Sequence, residues 1–175
     1  SPPRWCGVRR CCWSVNRPSE PVVPLGETGL TVRFSIHGET LRSMHVQLSG
    51  ATGGGPATPC IDRVVAALAR WPDVDAEIAW VDTPCFPTTG TAFQRAVWRT
   101  LCGVSAGETT TYGEIATRLG RPGAARAVGQ AVNANPWAPL VPCHRVLAAG
   151  GRAGGYASGL AMKRRLLAAE GVCLP

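Results

Sequence analysis

Between Thr111 and Asn133 the punctuation of the chain leaves it little choice of local structure. Thr111 and Glu114 form a Thr-x-x-Glu capping box, in which hydroxyl and carboxylate each satisfy a free backbone N–H at a helix start. The helix they open runs to Leu119 and is closed by Gly120, because glycine takes the left-handed backbone that ends a helix without strain. Pro122 and Gly123 make the turn into a second helix, from about Ala124 to Asn133. A helix, a short turn and a second helix outline a helix-turn-helix, although two helices packed in an ordinary core share the pattern.

The second helix separates these readings. Its face includes Ala125, Arg126, Gly129 and Ala131, mostly side chains too small to reach into a major groove. Small residues let a helix backbone approach a narrow minor groove, and one long arginine can enter the base stack. Charge points the same way. The net charge is +7, and residues 87–175 carry ten Lys/Arg against Glu108, Glu114 and Glu170, whereas residues 21–86 carry four Arg against seven acids. A basic half of this kind suits a polyanion, nucleic acid first.

That basic half also holds Pro142-Cys143-His144-Arg145-Val146, behind the apolar Leu140 and Val141. A free cysteine with a pKa near ~8.5 is mostly protonated at neutral pH, and a nearby histidine can correct that. Consecutive side chains of extended backbone point to opposite faces, so Cys143 and His144 are expected to communicate through a bridging water rather than by contact. Glu170 belongs to the same picture. It lies on the helical stripe of Met162, Leu166 and Ala169, near a helix C-terminus where a carboxylate is disfavoured. A buried carboxylate needs a partner, and His144 is the natural one; a solvent-facing glutamate is the alternative.

Upstream, residues 22–48 read as strands that turn at Gly38-Glu39, residues 49–59 as a loop, and Ile61 to Trp71 as a helix stopped by Pro72. Glu77 to Val81 is expected as a final strand and residues 82–90 as a linker. Phe93, Val97 and Leu101 mark a further helix ending at Gly103. His37 and His45 are expected to be structural. The divisions are a flexible basic extension over 1–21, an α/β domain over 22–86, and a DNA-binding domain that carries Cys143 over 87–175. No apolar run approaches the ~18 residues of a membrane span. The eight cysteines are irregularly spaced, no CxxC pair occurs, and Cys6, Cys11 and Cys12 lack four-ligand zinc spacing. No metal and no cofactor are expected. A reactive Cys143 calls for a reducing compartment, so the expected location is cytoplasmic, with the nucleoid or nucleus as the working site.

Residues 91–173 resemble the O6-alkylguanine-DNA alkyltransferases, the methylated-DNA–protein-cysteine methyltransferases. The matching segments are Phe93-Gln94-Arg95-Ala96-Val97-Trp98, Thr111-Tyr112-Gly113-Glu114-Ile115-Ala116, Ala124-Ala125-Arg126-Ala127-Val128-Gly129, Asn135-Pro136, the Pro142–Val146 pentapeptide, Gly155-Tyr156, and Leu166-Leu167-Ala168-Ala169-Glu170-Gly171. The resemblance implies a ribonuclease-H-like N-terminal α/β domain, a small sheet plus helix, followed by a mainly helical, winged helix-turn-helix-like DNA-binding domain. It implies a monomer that binds alkylated double-stranded DNA, flips O6-alkylguanine and also O4-alkylthymine out of the duplex, and moves the alkyl group irreversibly onto Cys143. Flipping is a physical necessity, since a thiolate cannot reach the alkyl carbon inside the stack.

By the same resemblance His144 and Glu170 assist Cys143, and Asn135 holds the turn before it. Arg126 fills the vacated place in the stack, with Ala125 and Gly129 on the same helix. Tyr112 turns the nucleotide and bonds its ring N3, Tyr156 walls the pocket, and Arg145, Val146 and Ala157 belong to the base and DNA contacts. Two residues depart from the family pattern. Trp137 stands where a smaller aliphatic is usual and Ala138 where some members have proline, so methyl and ethyl lesions are expected to react and benzyl-type groups poorly. The rival readings are a damage sensor that binds without transfer, a methylation-switched regulator and a cysteine hydrolase. Cys143 itself argues against the first, and the absence of a zinc-spaced N-terminal cysteine set against the second.

Overall fold

The computed structural model describes residues 22–26, 28–37, 40–48, 58–73, 80–82 and 89–174. Readings that fall on 1–21, 49–57 and 83–88, including Cys6, Cys11, Cys12 and Cys85, lie outside the described residues.

Three strands, β1 (Val22–Pro24), β2 (Leu30–His37) and β3 (Thr40–Leu48), form an antiparallel sheet in chain order. Alternation buries one face: Val32 sits opposite Val46 and Phe34 opposite Met44, all four in the core. Helix α1 (Pro59–Ala69) starts two residues before the predicted position, because Thr58 accepts a bond from the Ile61 N–H and Pro59 occupies the first turn, where its missing N–H costs nothing. Its inward residues are Ile61, Val64, Ala67 and Leu68. The strand expected over Glu77–Val81 is not supported where it can be seen. Trp80–Asp82 is a 3-10 turn, with the Asp82 carboxylate drawn to Arg99 of the next helix at 2.5–2.9 Å.

Helix α2 (Ala92–Cys102) begins with a capping box of Thr91 and Gln94 and buries Val97, Trp98, Leu101 and Cys102. A short strand β4 (Thr110–Thr111) leads into α3 (Tyr112–Arg118), whose Thr111–Glu114 box is formed in both directions. Helix α4 (Ala125–Asn133) follows and packs on α2 and α3 through Val128, Ala131 and Val132. Ala131 is therefore a core residue, 2% exposed, with its carbonyl accepting from Trp98 Nε1 at 2.8 Å. Ala125, Arg126 and Gly129 keep the outward face of the helix.

The Pro142–Val146 pentapeptide is not extended. Cys143–Arg145 form a 3-10 turn, held by the Arg145 N–H donating to the Pro142 carbonyl at 3.0 Å. Strand β5 (Val146–Leu147) then pairs in parallel with β4, which places the turn beside the start of α3. Helix α5 (Leu160–Ala169) closes the chain. One hydrophobic core runs through both halves, joining Phe34 and Leu68 to Val97, Ile115, Val128 and Leu166.

Candidate active site

Three elements converge on Cys143. The 3-10 turn presents its thiol, buried and 7% exposed, to a cavity of about 440 Å³. The cavity is lined by Tyr112, Gly129, Asn135, Tyr156 and Ala157. Ser43, Met44 and His45 of β3, with Ala138 of the intervening turn, also line it. Asn135 locks that turn: its Oδ1 accepts from the Trp137 N–H at 3.0 Å and its Nδ2 donates to the Val141 carbonyl at 2.8 Å. The Met44 N–H donates to the Pro136 carbonyl at 2.7 Å, so the N-terminal sheet continues into the same turn. Trp137 is 1% exposed and is not among the lining residues. Its ring is spent on the core, whereas Ala138, the other departure, lines the cavity, so the expectation for benzyl-type groups rests on Ala138 alone.

Burial pushes the Cys143 thiol above its ordinary pKa, opposed by the polar groups of Asn135 and Tyr156 nearby and by the charge of Lys163. Tyr112 and Tyr156 are also pushed up, by burial first and then by the sulfur beside them, so both hydroxyls hold their protons and can donate. Gly154 has φ +65°, and a Cβ there would meet the Tyr112 hydroxyl at 3.1 Å, so glycine is needed for the loop to close over that ring.

Behind the turn, fully buried, His144 Nε2 lies 2.8 Å from Glu170 Oε1. Burial pushes His144 down despite this bond, while Glu170, which burial alone would raise, is held below the usual range by His144 and Arg145. An ionised carboxylate only accepts, so Nε2 carries the proton and Nδ1 is the basic nitrogen. That Nδ1 is buried with no hydrogen-bond partner among the described residues. In a 3-10 turn consecutive side chains diverge by about 120°. The expected divergence of Cys143 and His144 thus has a different backbone cause. The carboxylate–imidazole pair itself is as expected, but its stripe on α5 is Met162, Lys163, Leu166, Leu167 and Glu170, with Ala169 exposed.

Arg145 requires a correction. Its side chain does not reach a DNA surface: it is 6% exposed and donates to both carboxylate oxygens of Glu170 at 2.7–3.1 Å and to the Val104 carbonyl. An exposed arginine serves DNA, but a buried carboxylate holds this one inside. Arg126 stays exposed on α4, with Ala125 beside it half-buried. Val146 is fully buried and its carbonyl accepts from Lys163 Nζ.

Lys163 was missed from the sequence. None of its surface is exposed, and burial lowers its pKa to about 8. A signal existed, since 163, 166, 167 and 170 follow the i, i+3, i+4, i+7 spacing of one helix face. No such signal marked Ser43 or His45, which a tertiary contact alone brings to the cavity rim. Among the described residues no group of three His, Cys, Asp or Glu could hold a metal, and no helix is long and apolar enough to cross a membrane.

A buried thiol, backed by an imidazole–carboxylate pair and opening on a cavity beside an arginine-bearing helix, makes a candidate cysteine site in a mainly helical domain. A family model described as "6-O-methylguanine DNA methyltransferase, DNA binding domain" matches residues 92–172. A methylated-DNA–protein-cysteine methyltransferase of Methanosarcina acetivorans is 57% identical over 84 residues, 48% of this chain and 54% of that relative. The chain spans about half the length of the curated relatives it matches. OGT of Mycobacterium tuberculosis, solved in complex with DNA, has a TM-score of 0.63 and 34% identity over 87% of this chain and 92% of that one. The O6-methylguanine-DNA methyltransferase of Pyrococcus kodakaraensis shares the fold, with a TM-score of 0.66 at 24% identity, covering 88% of this chain and 99% of that one. The chain belongs to the methylated-DNA–protein-cysteine methyltransferase family.

Proposed function

We propose that this protein repairs alkylated DNA by direct reversal, taking the alkyl group of O6-alkylguanine irreversibly onto Cys143. The observation that carries the reading is the position of Cys143, between an open cavity and the buried His144–Glu170 pair. Helices α3 and α4 serve as a winged helix-turn-helix in which α4 lies along the minor groove. Arg126 enters the stack and the flipped base occupies the cavity between Tyr112 and Tyr156. The N-terminal sheet with α1 is the ribonuclease-H-like partner domain. The protein acts as a monomer on double-stranded DNA, in the cytoplasm or wherever the genome lies. O4-alkylthymine, smaller than the purine, is a second substrate.

The chemistry follows from the proton inventory. At rest the thiol holds its proton, since burial disfavours the thiolate. With the base in place the proton passes through a water to His144 Nδ1, and the sulfur attacks the alkyl carbon in line with the C–O6 bond. A carbon–sulfur bond forms, the carbon–oxygen bond breaks, and its electron pair stays on guanine. Tyr112 donates a hydrogen bond to N3 as charge builds on the base, and the departing guanine takes up a proton at N1, balanced by release of the proton held on His144. The product is a thioether, which thiol exchange does not reverse, so each molecule acts once.

Intact mass after incubation with a duplex carrying one O6-methylguanine tests this directly. The expected result is one added methyl per molecule, absent in Cys143→Ala, with stoichiometric repair. Tight lesion binding without mass gain would instead make the protein a damage sensor.

A further inference from the structure

Arg145 is buried, holds Glu170 and has no part in the chemistry above. Its fork spans the carboxylate, with Nε at 3.1 and 3.0 Å from the two oxygens and a terminal nitrogen at 2.7 Å from Oε1, the oxygen that also accepts from His144. The other terminal nitrogen donates to the Val104 carbonyl, just past the end of α2, so the clamp is anchored to the helical body. We propose that Arg145 is a positioning residue for the proton acceptor of this site: it fixes and neutralises Glu170, so that His144 stays an uncharged Nε2–H ring with Nδ1 free to take the Cys143 proton. This deepens the alkyl-acceptor reading and rests on it.

The charge argument is short. A guanidinium is always protonated, so a buried carboxylate paired with it needs no second cation. Without Arg145 the cation available to Glu170 is the imidazole, and a protonated imidazole cannot accept from a thiol. The charged groups acting on His144 are Glu170 at the end of α5, Arg145 on its own turn and Lys163 on α5, and both cations oppose its protonation. From α1's end the Trp71 ring, 6.0 Å away, packs against the imidazole and adds no charge.

The test pairs nitrogen NMR of His144 with single-turnover methyl transfer across pH, in wild type, Arg145→Met, Arg145→Gln and Arg145→Lys. Wild type should show the neutral Nε2–H tautomer around pH 7. In Arg145→Met the His144–Glu170 pair should bind its proton at least about one pH unit higher. The rate loss should be largest at low pH and shrink as pH rises. Arg145→Gln, which keeps amide donors for Val104 and Glu170, carries the same expectation if the methionine variant does not fold; Arg145→Lys should restore much of the wild-type titration. In an E170Q background Arg145→Met should add only a smaller shift, the part due to the direct charge of Arg145 on the ring. A folded neutral variant whose His144 titrates as in wild type, or whose rate falls equally at every pH, overturns the proposal. A wild-type protein that gains no methyl sinks the alkyl-acceptor reading instead, and the NMR titration still decides for Arg145.

Discussion

Lys163 shows what a single misplaced charge can report. Its folded-state pKa of about 8 lies below the ~10.4 of an unfolded lysine. Between those values the unfolded chain holds a proton that the folded chain has shed, so this group adds stability as pH rises from about 8 to about 10.4. Below about 8 both states are charged and its contribution is flat. The full effect is on the order of 3 kcal/mol. Cys143 works in the opposite sense, since its raised folded-state pKa removes stability once pH passes the ordinary thiol value of ~8.5. Urea titrations of C143A and C143A/K163M across pH therefore separate the two. We expect a rise of stability with pH in the first and its loss in the second; parallel curves would show that Lys163 is not desolvated.

At the scale of elements, α4 and the 152–156 loop carry the substrate contacts of the proposed reaction. Arg126 is exposed on α4 and has no structural work to do, so Arg126→Ala should leave the denaturant midpoint within about 0.5 kcal/mol of wild type. The same change should slow repair of duplex far more than reaction with free O6-methylguanine. Equal losses on both substrates would argue against a stacking role. Gly154→Ala should act through Tyr112, because the new Cβ meets both a hydroxyl and the backbone of Ala148 in a positive-φ position. Displacing a base-orienting group by a fraction of an ångström is expected to cost roughly ten- to hundredfold in transfer rate, with helical circular dichroism unchanged. Unimpaired transfer would mean that Tyr112 is not held by that loop. The capping box that starts α3 was legible from the Thr111–Glu114 spacing, since a cap is a local device. The 3-10 turn at Cys143 was not, because it depends on β5 pairing with β4 from thirty-six residues upstream.

For the whole molecule, one core, the Met44–Pro136 hydrogen bond and the Asp82–Arg99 ion pair tie the halves together. Met44 donates to Pro136, and Trp71, at the end of α1, covers the ring of His144. The two halves should then unfold together. Tryptophan fluorescence and far-ultraviolet circular dichroism should give coincident urea transitions. Two separated transitions would show that the sheet and the helical half fold independently. DNA affinity should fall steeply with salt, as expected when the basic residues of 87–175 neutralise backbone phosphates.

The sequence by itself determined what depends on neighbours within a few residues. Helix starts and stops, the small-residue face of α4, the thiol beside an imidazole and the partnering of Glu170 all follow from spacing, because helical periodicity and capping are short-range. It was also enough to recognise the family, whose motifs lie in order over residues 91–173. Tertiary structure decided which way the long side chains turned. Arg145 went inward because a buried carboxylate needed a cation, and Lys163 because the inward stripe of α5 includes its position. Trp137 went into the core, away from the cavity, and His45 came to the cavity rim, through contacts between chain segments about ninety residues apart. Burial and charge pairing are properties of the closed fold, and no local pattern carries them.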